Sequence, residues 1–194
     1  YIVHGNSKAP ARKKGGVRMI IWAIITQDAY YKLKKGSSVF CMIEDSPWGK
    51  TMSSVTGYQF VARYMERKSG KFAPAVGAVP FIGWVRYPGD ESHPDPKDDF
   101  LYKSGMVYVE LDVPEEEVLL SNALAWSAMM YGEYYPISND PDTLDAELNR
   151  FQKLDFFAQT LQIKQSWARA FQIDPYTDFV LGSFWTIEPE MLVK

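Results

Sequence analysis

Residues 107–126, VYVELDVPEEEVLLSNALAW, are the most regular stretch of the chain and indicate its fold class. The first half alternates apolar and polar residues as far as Pro114, which is the period of a β-strand. The acidic residues 115–117 then predict a solvated turn, and a short apolar strand follows. Ser121 or Asn122 can cap the next helix, because both side chains accept hydrogen bonds from free backbone amides. A strand, a turn, a second strand and a helix in this order predict a mixed α+β core.

The segments on either side extend the same pattern. Residues 19–25, MIIWAII, are apolar on both faces and predict a strand in the middle of a sheet. Thr26 is placed to cap a helix that Gly36 ends. Further elements are predicted at residues 58–68 (helix), 80–87 (strand) and 179–187 (strand with a close approach at Gly182). We expect an α+β fold with a mixed or antiparallel sheet of about five or six strands and about three or four packed helices. It should form a single domain at residues 19–194, after a basic extension at residues 1–18.

Two regions of the second half allow sharper predictions. A helix should start at Asp140-Pro141 and run to about Phe157. Its apolar residues recur at steps of three or four and predict a core-facing stripe: Leu144, Leu148, Phe151, Leu154 and Phe157. Residues 88–99, PGDESHPDPKDD, predict a solvated surface loop, with a divalent-cation site among the acids around His93 as the alternative.

Reactive side chains are few. Cys41 is the single cysteine, so no internal disulfide can form, which favours a reducing cytoplasm. One Cys and two His cannot make a Cys/His zinc site, and they leave little room for a Cys/His or Ser/His/Asp nucleophile. No apolar run approaches the roughly 18 residues that span a bilayer. The phosphate-loop, dinucleotide-binding and nucleophile-elbow motifs do not occur in the sequence. We therefore expect no metal site and no membrane association.

The charge is distributed unevenly along the chain. Five of the 21 basic residues lie within residues 1–18, which contain no acid. The remainder therefore has 16 basic residues against 24 acidic ones, a net charge of -8. The basic extension could bind nucleic acid, but the acidic remainder would repel it. Nucleic-acid binding is the weakest of three functional hypotheses.

Five blocks of residues match a known pattern in order and spacing. They are Trp22-x-Ile24-x-Thr26 with Ala29 and Leu33; Tyr58 with Met65 and Arg67; Pro80 with Trp84; Val113-Pro114 followed by Val118-Leu119-Leu120-Ser121 and Trp126; and Gln165-Ser166-Trp167 with Phe171, then Phe184-Trp185-x-Ile187. Together they resemble an uncharacterised bacterial family, a domain of unknown function found in small cytoplasmic proteins. Asn122 departs from the family, which more usually has Asp there. The resemblance covers about residues 20 to 190 and implies a single cytoplasmic domain with no assigned reaction.

The first functional hypothesis is a non-catalytic binding or interaction module of a bacterial or phage-related protein, with an unknown protein or small molecule as partner. Aromatic residues and Arg are enriched at interface hot spots. The exposed candidates are Trp48, Trp84, Arg86, Tyr131, Tyr134 and Tyr135. Four other Trp side chains lie on apolar strand or helix faces and are expected in the core: Trp22, Trp126, Trp167 and Trp185. No cofactor is expected on this hypothesis.

The alternative is an NAD-using enzyme that resembles the ADP-ribosyltransferase superfamily at fold level. The opening strand, Thr, helix and Gly turn resemble that superfamily's first element, and Trp22 stands where it usually has His or Arg. On this analogy Glu188 or Glu190 would be the carboxylate that stabilises an oxocarbenium-like ribose. The remaining ligand candidates are Thr26 and Tyr58 for the ribose or nicotinamide, and Arg63 or Arg67 for the pyrophosphate.

Overall fold

The computed structural model describes residues 16–49, 51–88, 93–99, 102–138 and 140–193. Within these ranges the chain forms eight strands: Arg18–Thr26 (β1), Val39–Met42 (β2), Ala78–Val79 (β3), Phe81–Arg86 (β4), Met106–Pro114 (β5), Leu119–Asn122 (β6), Val180–Phe184 (β7) and Thr186–Ile187 (β8). The same ranges hold five α-helices: Gln27–Lys34 (α1), Met52–Ser69 (α2), Ala123–Tyr131 (α3), Pro141–Gln152 (α4) and Phe156–Ser166 (α5). The predicted α+β fold class is confirmed.

The strands form two antiparallel sheets. Five strands lie in the order β5-β1-β4-β7-β6, and three lie in the order β3-β2-β8. The interior strands β4 and β7 are buried on both faces over residues 81–84 and 180–184. This burial explains why these segments are almost continuously apolar in sequence, since neither face meets water.

The predicted centre of the fold, residues 107–126, forms β5, a 3-10 turn at Glu115–Glu117, β6 and α3. Asn122 is the cap of α3, because its side-chain oxygen accepts hydrogen bonds from the amides of Leu124 at 2.9 Å and Ala125 at 3.2 Å. Trp126 on the same helix is completely buried. The predicted order of strand, turn, strand and helix is therefore confirmed.

Two glycines lie opposite each other in the five-stranded sheet, Gly83 on β4 and Gly182 on β7. A Cβ on Gly83 would lie 2.6 Å from the carbonyl oxygen of Trp22 and 2.6 Å from Cγ2 of Ile21. A Cβ on Gly182 would lie 2.9 Å from Cγ1 of Val118. The close approach predicted at Gly182 is confirmed, and both positions need a residue without a side chain.

The prediction of one helix across residues 140–157 is wrong. Asp140 caps α4 by accepting from the Thr143 amide, but that helix ends at Gln152, and Asp155 starts α5. The break resets the helical phase, so the predicted apolar stripe does not continue into α5. The stripe consists of Leu144, Leu148, Phe151, Leu154 and Phe157. The first four side chains are only half-buried, and Phe157 is 83% exposed.

Glu147 joins α4 to the loop before it. Its carboxylate accepts from the Ile137 amide at 2.9 Å and from the Tyr134 hydroxyl, and Arg169 lies 3.6 Å away. Burial by itself raises the pKa of Glu147, but these hydrogen bonds and the Arg169 charge hold it below its ordinary value. Arg169 also donates to the Tyr135 carbonyl at 2.6 Å. Glu147 and Arg169 therefore each hold the loop between α3 and α4 through a hydrogen bond to its backbone.

The last described residues of the chain pair with β5, the outer edge strand of the five-stranded sheet. Leu192 forms an antiparallel bridge with Leu111 of β5. The Val193 amide donates to the Glu110 carbonyl at 3.0 Å. These contacts lie on the side of β5 that faces away from β1.

In the described part of the chain, no helix has the length and apolarity needed to cross a membrane. Most of the predicted basic extension, residues 1–15, lies outside the described residues. Nucleic-acid binding through that extension, a single domain at residues 19–194 and a cytoplasmic location stay predictions.

Candidate functional site

Two of the predicted ligand residues are cross-strand partners. Trp22 on β1 pairs with Trp84 on β4, so both side chains project from the same face of the five-stranded sheet. Trp22 is half-buried, but Trp84 is 1% exposed. The expectation that Trp84 is exposed is wrong, because β4 is an interior strand and Asp99 bonds to its indole. The other Trp side chains expected in the core are buried: Trp126, Trp167 and Trp185.

A buried carboxylate holds residues 93–99 on this face. Asp99 is 5% exposed, and its Oδ2 accepts from Nε1 of Trp84 at 2.9 Å. The hydroxyl of Tyr108 on β5 donates to the same oxygen. Burial, followed by the hydrogen bond to Asp99, raises the pKa of Tyr108 well above its ordinary value, so the phenol stays neutral. Two strands and one loop segment thereby meet at a single oxygen atom.

His93, at the other end of this segment, packs against the sheet. Its ring centroid is 4.0 Å from that of Trp22 and 5.1 Å from that of Tyr108. Its Nδ1 lies 2.7 Å from the carbonyl oxygen of Pro94. Because a carbonyl oxygen can only accept, Nδ1 carries the proton in the neutral ring, and Nε2 is left as an acceptor.

Glu110 is the cross-strand partner of Trp22 on the other side, on β5. The next acid on that face, Asp112, forms an ion pair with Arg18 at 2.8 Å. The Glu110 side chain, by contrast, has no ion pair or hydrogen bond with any residue that the structure describes. Ile20 lies on the same face and is 43% exposed. We call this surface the Trp22 strip, and it consists of Ile20, Trp22, His93, Tyr108 and Glu110.

A small cleft of about 60 Å³ lies where β1 passes into α1. Thr26, Cys41 and Asp45 are among its lining residues. Thr26 is committed to the helix cap, because its hydroxyl oxygen accepts from the Ala29 amide at 3.2 Å. Burial, with a smaller contribution from the Asp45 charge, raises the pKa of Cys41 to about 12. The thiol is therefore protonated at neutral pH and is a poor nucleophile.

The other predicted NAD contacts, Tyr58, Arg63 and Arg67, lie on α2. Tyr58 is 2% exposed and packs edge-on against Trp126, and burial raises its pKa. Arg63 and Arg67 are exposed on α2, where Nε of Arg67 donates to the Arg63 carbonyl at 3.2 Å. Apart from this bond, the described residues show no hydrogen bond or ion pair between the members of the predicted NAD set. Their role in binding NAD stays a prediction.

The two candidate catalytic acids follow the last strand. Glu188 accepts a hydrogen bond from the Ser38 hydroxyl at the start of β2. Glu190 is exposed in the 3-10 turn Pro189–Met191. The acids are close in sequence, and the bond from Ser38 ties Glu188 to the segment that leads into β2.

The remaining hot-spot candidates are dispersed. Arg86 donates to the carbonyls of Pro175 at 3.1 Å and Thr177 at 2.6 Å, which holds the loop before β7. Tyr131 is 63% exposed and contacts the half-buried Trp48 edge-on, with ring centroids 5.3 Å apart. Tyr134 and Tyr135 are half-buried in the Glu147 network described above.

A family model described as a domain of unknown function, DUF3841, matches residues 20–193. The chain belongs to the DUF3841 family. The predicted resemblance to an uncharacterised family is thereby confirmed, and DUF3841 carries no assigned reaction. No curated protein and no solved structure matches the chain.

Apart from the cation-site alternative around His93, the sequence does not indicate four members of the site in this DUF3841 protein as ligand residues: Ile20, His93, Tyr108 and Glu110. His93 lies in a segment without periodicity, so its contact with Trp22 has no local signal. The alternation around Tyr108 and Glu110 predicts only a strand, and the pairing of β5 with β1 is what brings them to Trp22. Residues 89–92 of the divalent-cation alternative lie outside the described residues, and no group of three or more potential metal ligands occurs among the residues that are described.

Proposed function

We propose that this DUF3841 protein is a binding module whose Trp22 strip takes up a Lys or Arg side chain of a basic partner protein. The observation that carries the proposal is the half-buried Trp22 beside the carboxylate of Glu110, which has no charged partner among the described residues. A cation over a Trp ring gains about 0.5–1 kcal/mol when exposed and about 2 kcal/mol when desolvated. A carboxylate beside the ring adds a charge-assisted hydrogen bond and selects against acidic groups.

The strip is held in place before any ligand arrives. Asp99 fixes residues 93–99 through its bonds to Trp84 and Tyr108, and His93 packs against the Trp22 ring. Fewer side chains then lose freedom on binding. Preorganisation of this kind supports a recognition surface, because ordering costs about 0.5–1.5 kcal/mol per immobilised side chain.

The charge of the chain also supports a basic partner. Residues 19–194 contain 16 basic and 24 acidic side chains, a net charge of -8. An acidic body attracts a basic segment over several ångströms and raises its association rate, and it repels polyanions.

The protonation states disfavour Cys41, Tyr58 and Tyr108 as nucleophiles. Burial raises the pKa values of Cys41, Tyr58 and Tyr108, so that the thiol and both phenols stay neutral near pH 7. A nucleophile of these types would need the anionic form.

The test uses a ten-residue alternating Gly-Lys peptide as the probe, with a Gly-Glu peptide of equal length as its control. The indole N–H signal of Trp22 is followed by NMR and assigned from its loss in Trp22→Phe. We expect the Gly-Lys peptide to shift this signal, and Glu110→Gln to weaken its affinity by about fivefold or more, which corresponds to about 1 kcal/mol.

The matched control is Glu116→Gln, which removes the same charge from an exposed position on the turn after β5. Its affinity should stay within about twofold of wild type, since an exposed charge remote from the site acts only through screened fields. Equal losses in Glu110→Gln and Glu116→Gln would show general surface attraction and would end the proposal. So would a shift of the Trp22 signal by the Gly-Glu peptide.

NAD is included to test the enzyme alternative. At about 100 times its dissociation constant a ligand adds about 2.7 kcal/mol of stability, which raises the unfolding midpoint of a chain this size by roughly 5–11 °C. Such a shift with NAD, together with no response to the Gly-Lys peptide, would favour the ADP-ribosyltransferase-like alternative.

A further inference from the structure

Helix α5 exposes an apolar surface that the described residues do not cover. Phe156, Phe157 and Leu161 of α5 are 76%, 83% and 58% exposed. Phe157 and Leu161 are four residues apart, so they lie on one side of the helix. Monomeric proteins scatter such residues singly, whereas a contiguous group of large exposed apolar side chains marks an interaction surface.

One side of the preceding helix, α4, has opposite charges at its two ends and small residues between them. This side consists of four exposed residues at steps of four, three and four, which keeps them in one line along the helix: Asp142, Ala146, Asn149 and Lys153. Lys153 caps α4 with helical backbone angles, so it continues the line. Neither Asp142 nor Lys153 forms an ion pair with any residue that the structure describes.

The helix dipole accounts for an acid at the start of α4 and a base at its end. It does not account for the small side chains between them or for the apolar residues that follow on α5. Ala146 and Asn149 let a second helix approach closely, because neither side chain projects far from the backbone.

A helix with this arrangement is complementary to a second copy of itself. When two copies of α4 lie antiparallel about a two-fold axis between residues 147 and 148, Asp142 of each copy faces Lys153 of the other. The same arrangement places Ala146 of each copy opposite Asn149 of the other. α4 has 12 residues and is about 18 Å long, which accommodates these four contacts. A two-fold interface requires this kind of self-complementarity, because the same patch is used twice.

We infer that a second copy of this chain binds on the α4–α5 surface, which consists of Asp142, Ala146, Asn149, Lys153, Phe157 and Leu161. The antiparallel contact pairs the charges at the two ends of α4. Phe157 and Leu161 lie on the helix that follows α4 in the chain, and their exposed side chains supply apolar surface next to this contact. The charge order sets the direction of the two helices, and the apolar residues supply the favourable burial. This inference is independent of the binding proposed for the Trp22 strip.

The mass of the full chain in solution tests the inference. Sedimentation equilibrium from about 1 to 500 μM in low salt should show a rise from 22.2 kDa toward twice that value. Raising the salt should shift the rise to higher concentration, because ion pairs at an exposed interface are screened. A mass that stays at 22.2 kDa throughout would overturn the inference.

Charge reversal provides the decisive variants. Lys153→Glu places acid opposite acid, and Asp142→Lys places base opposite base, so each variant alone should dimerise at least about tenfold more weakly. A mixture of the two variants restores opposite charges at both ends and should form heterodimers about as readily as wild type. A folding defect in either variant could not produce this rescue.

Two further variants complete the test. Phe157→Asp should abolish the rise in mass, and Val76→Asp, at a fully exposed apolar residue outside these helices, should leave it unchanged. Dimers that form equally in all variants, or a mixture that remains monomeric, would show that α4 does not pair in this way and would overturn the inference.

Discussion

Replacing Asp99 with Ala should remove the hydrogen bonds that hold residues 93–99 against the five-stranded sheet. The buried Trp84 N–H loses its hydrogen bond to Asp99, which costs about 1–3 kcal/mol. Tyr108 is half-buried, so its hydroxyl can turn toward water and adds about 1 kcal/mol. Together these losses predict that Asp99→Ala lowers the free energy of unfolding by about 2–4 kcal/mol.

Two matched variants separate the hydrogen bonds from other effects at this position. Asp99→Asn keeps an oxygen acceptor but loses the charge, and it should cost about 1 kcal/mol, the usual difference between a charged and a neutral acceptor. Asp98→Ala removes a carboxylate from the exposed neighbouring position. It should stay within about 0.5 kcal/mol of wild type.

Urea unfolding gives the three free energies, provided that the slope against denaturant is unchanged. Heating should give the same order, with a fall in midpoint of about 4–16 °C for Asp99→Ala. The NMR signal of the Trp22 indole should also move, because His93 no longer packs on it in a fixed position. Equal stabilities of Asp99→Ala and Asp98→Ala would refute the reasoning, since the buried acceptor would then contribute nothing.

Three further predictions concern the core and its titrating groups. Gly83→Ala should lower the free energy of unfolding in urea by about 1–3 kcal/mol. This loss should exceed that of Gly182→Ala, because a Cβ on Gly83 would lie 2.6 Å from the Trp22 carbonyl oxygen. A larger loss in Gly182→Ala would contradict this reasoning. The lowered pKa of Glu147 contributes stability at neutral pH that is lost as pH falls below about 4.5, and Glu147→Gln should flatten that decline in unfolding at pH 7 to 3. An equally steep decline in the variant would refute that assignment. Cys41, buried with a pKa raised to about 12, should react with iodoacetamide only after unfolding in guanidinium; rapid alkylation of the native protein would disprove it.

Local features of the fold could be predicted from the sequence because their causes lie within a few residues. Thr26, Asn122 and Asp140 each cap a helix with the short polar side chain that precedes an apolar period. The close packing at Gly182 follows from a single Gly in an otherwise bulky strand. The apolar spacing does not reveal the break between α4 and α5, because it continues across the break while Asp155 begins a new helix with a different phase.

The candidate site depends on contacts between distant parts of the chain. Asp99 bonds to Trp84, 15 residues earlier, and His93 meets Trp22 on another strand. The segment that contains both is polar and aperiodic, so nothing local distinguishes it from a solvated loop. Burial of Asp99 becomes favourable only when two aromatic donors are already in place. Strand order, which single-sequence patterns do not determine, also decides that Glu110 stands beside Trp22.

The short contact of residues 192–193 with β5 has a consequence for the behaviour of the protein in concentrated solution. An edge strand left open presents unpaired amides and carbonyls, and other chains can add to it and build fibrous or amorphous aggregates. The bonds of Leu192 and Val193 occupy part of that edge. A chain shortened after Met191 should therefore keep its core but lose colloidal stability, and its defect would appear as turbidity on storage.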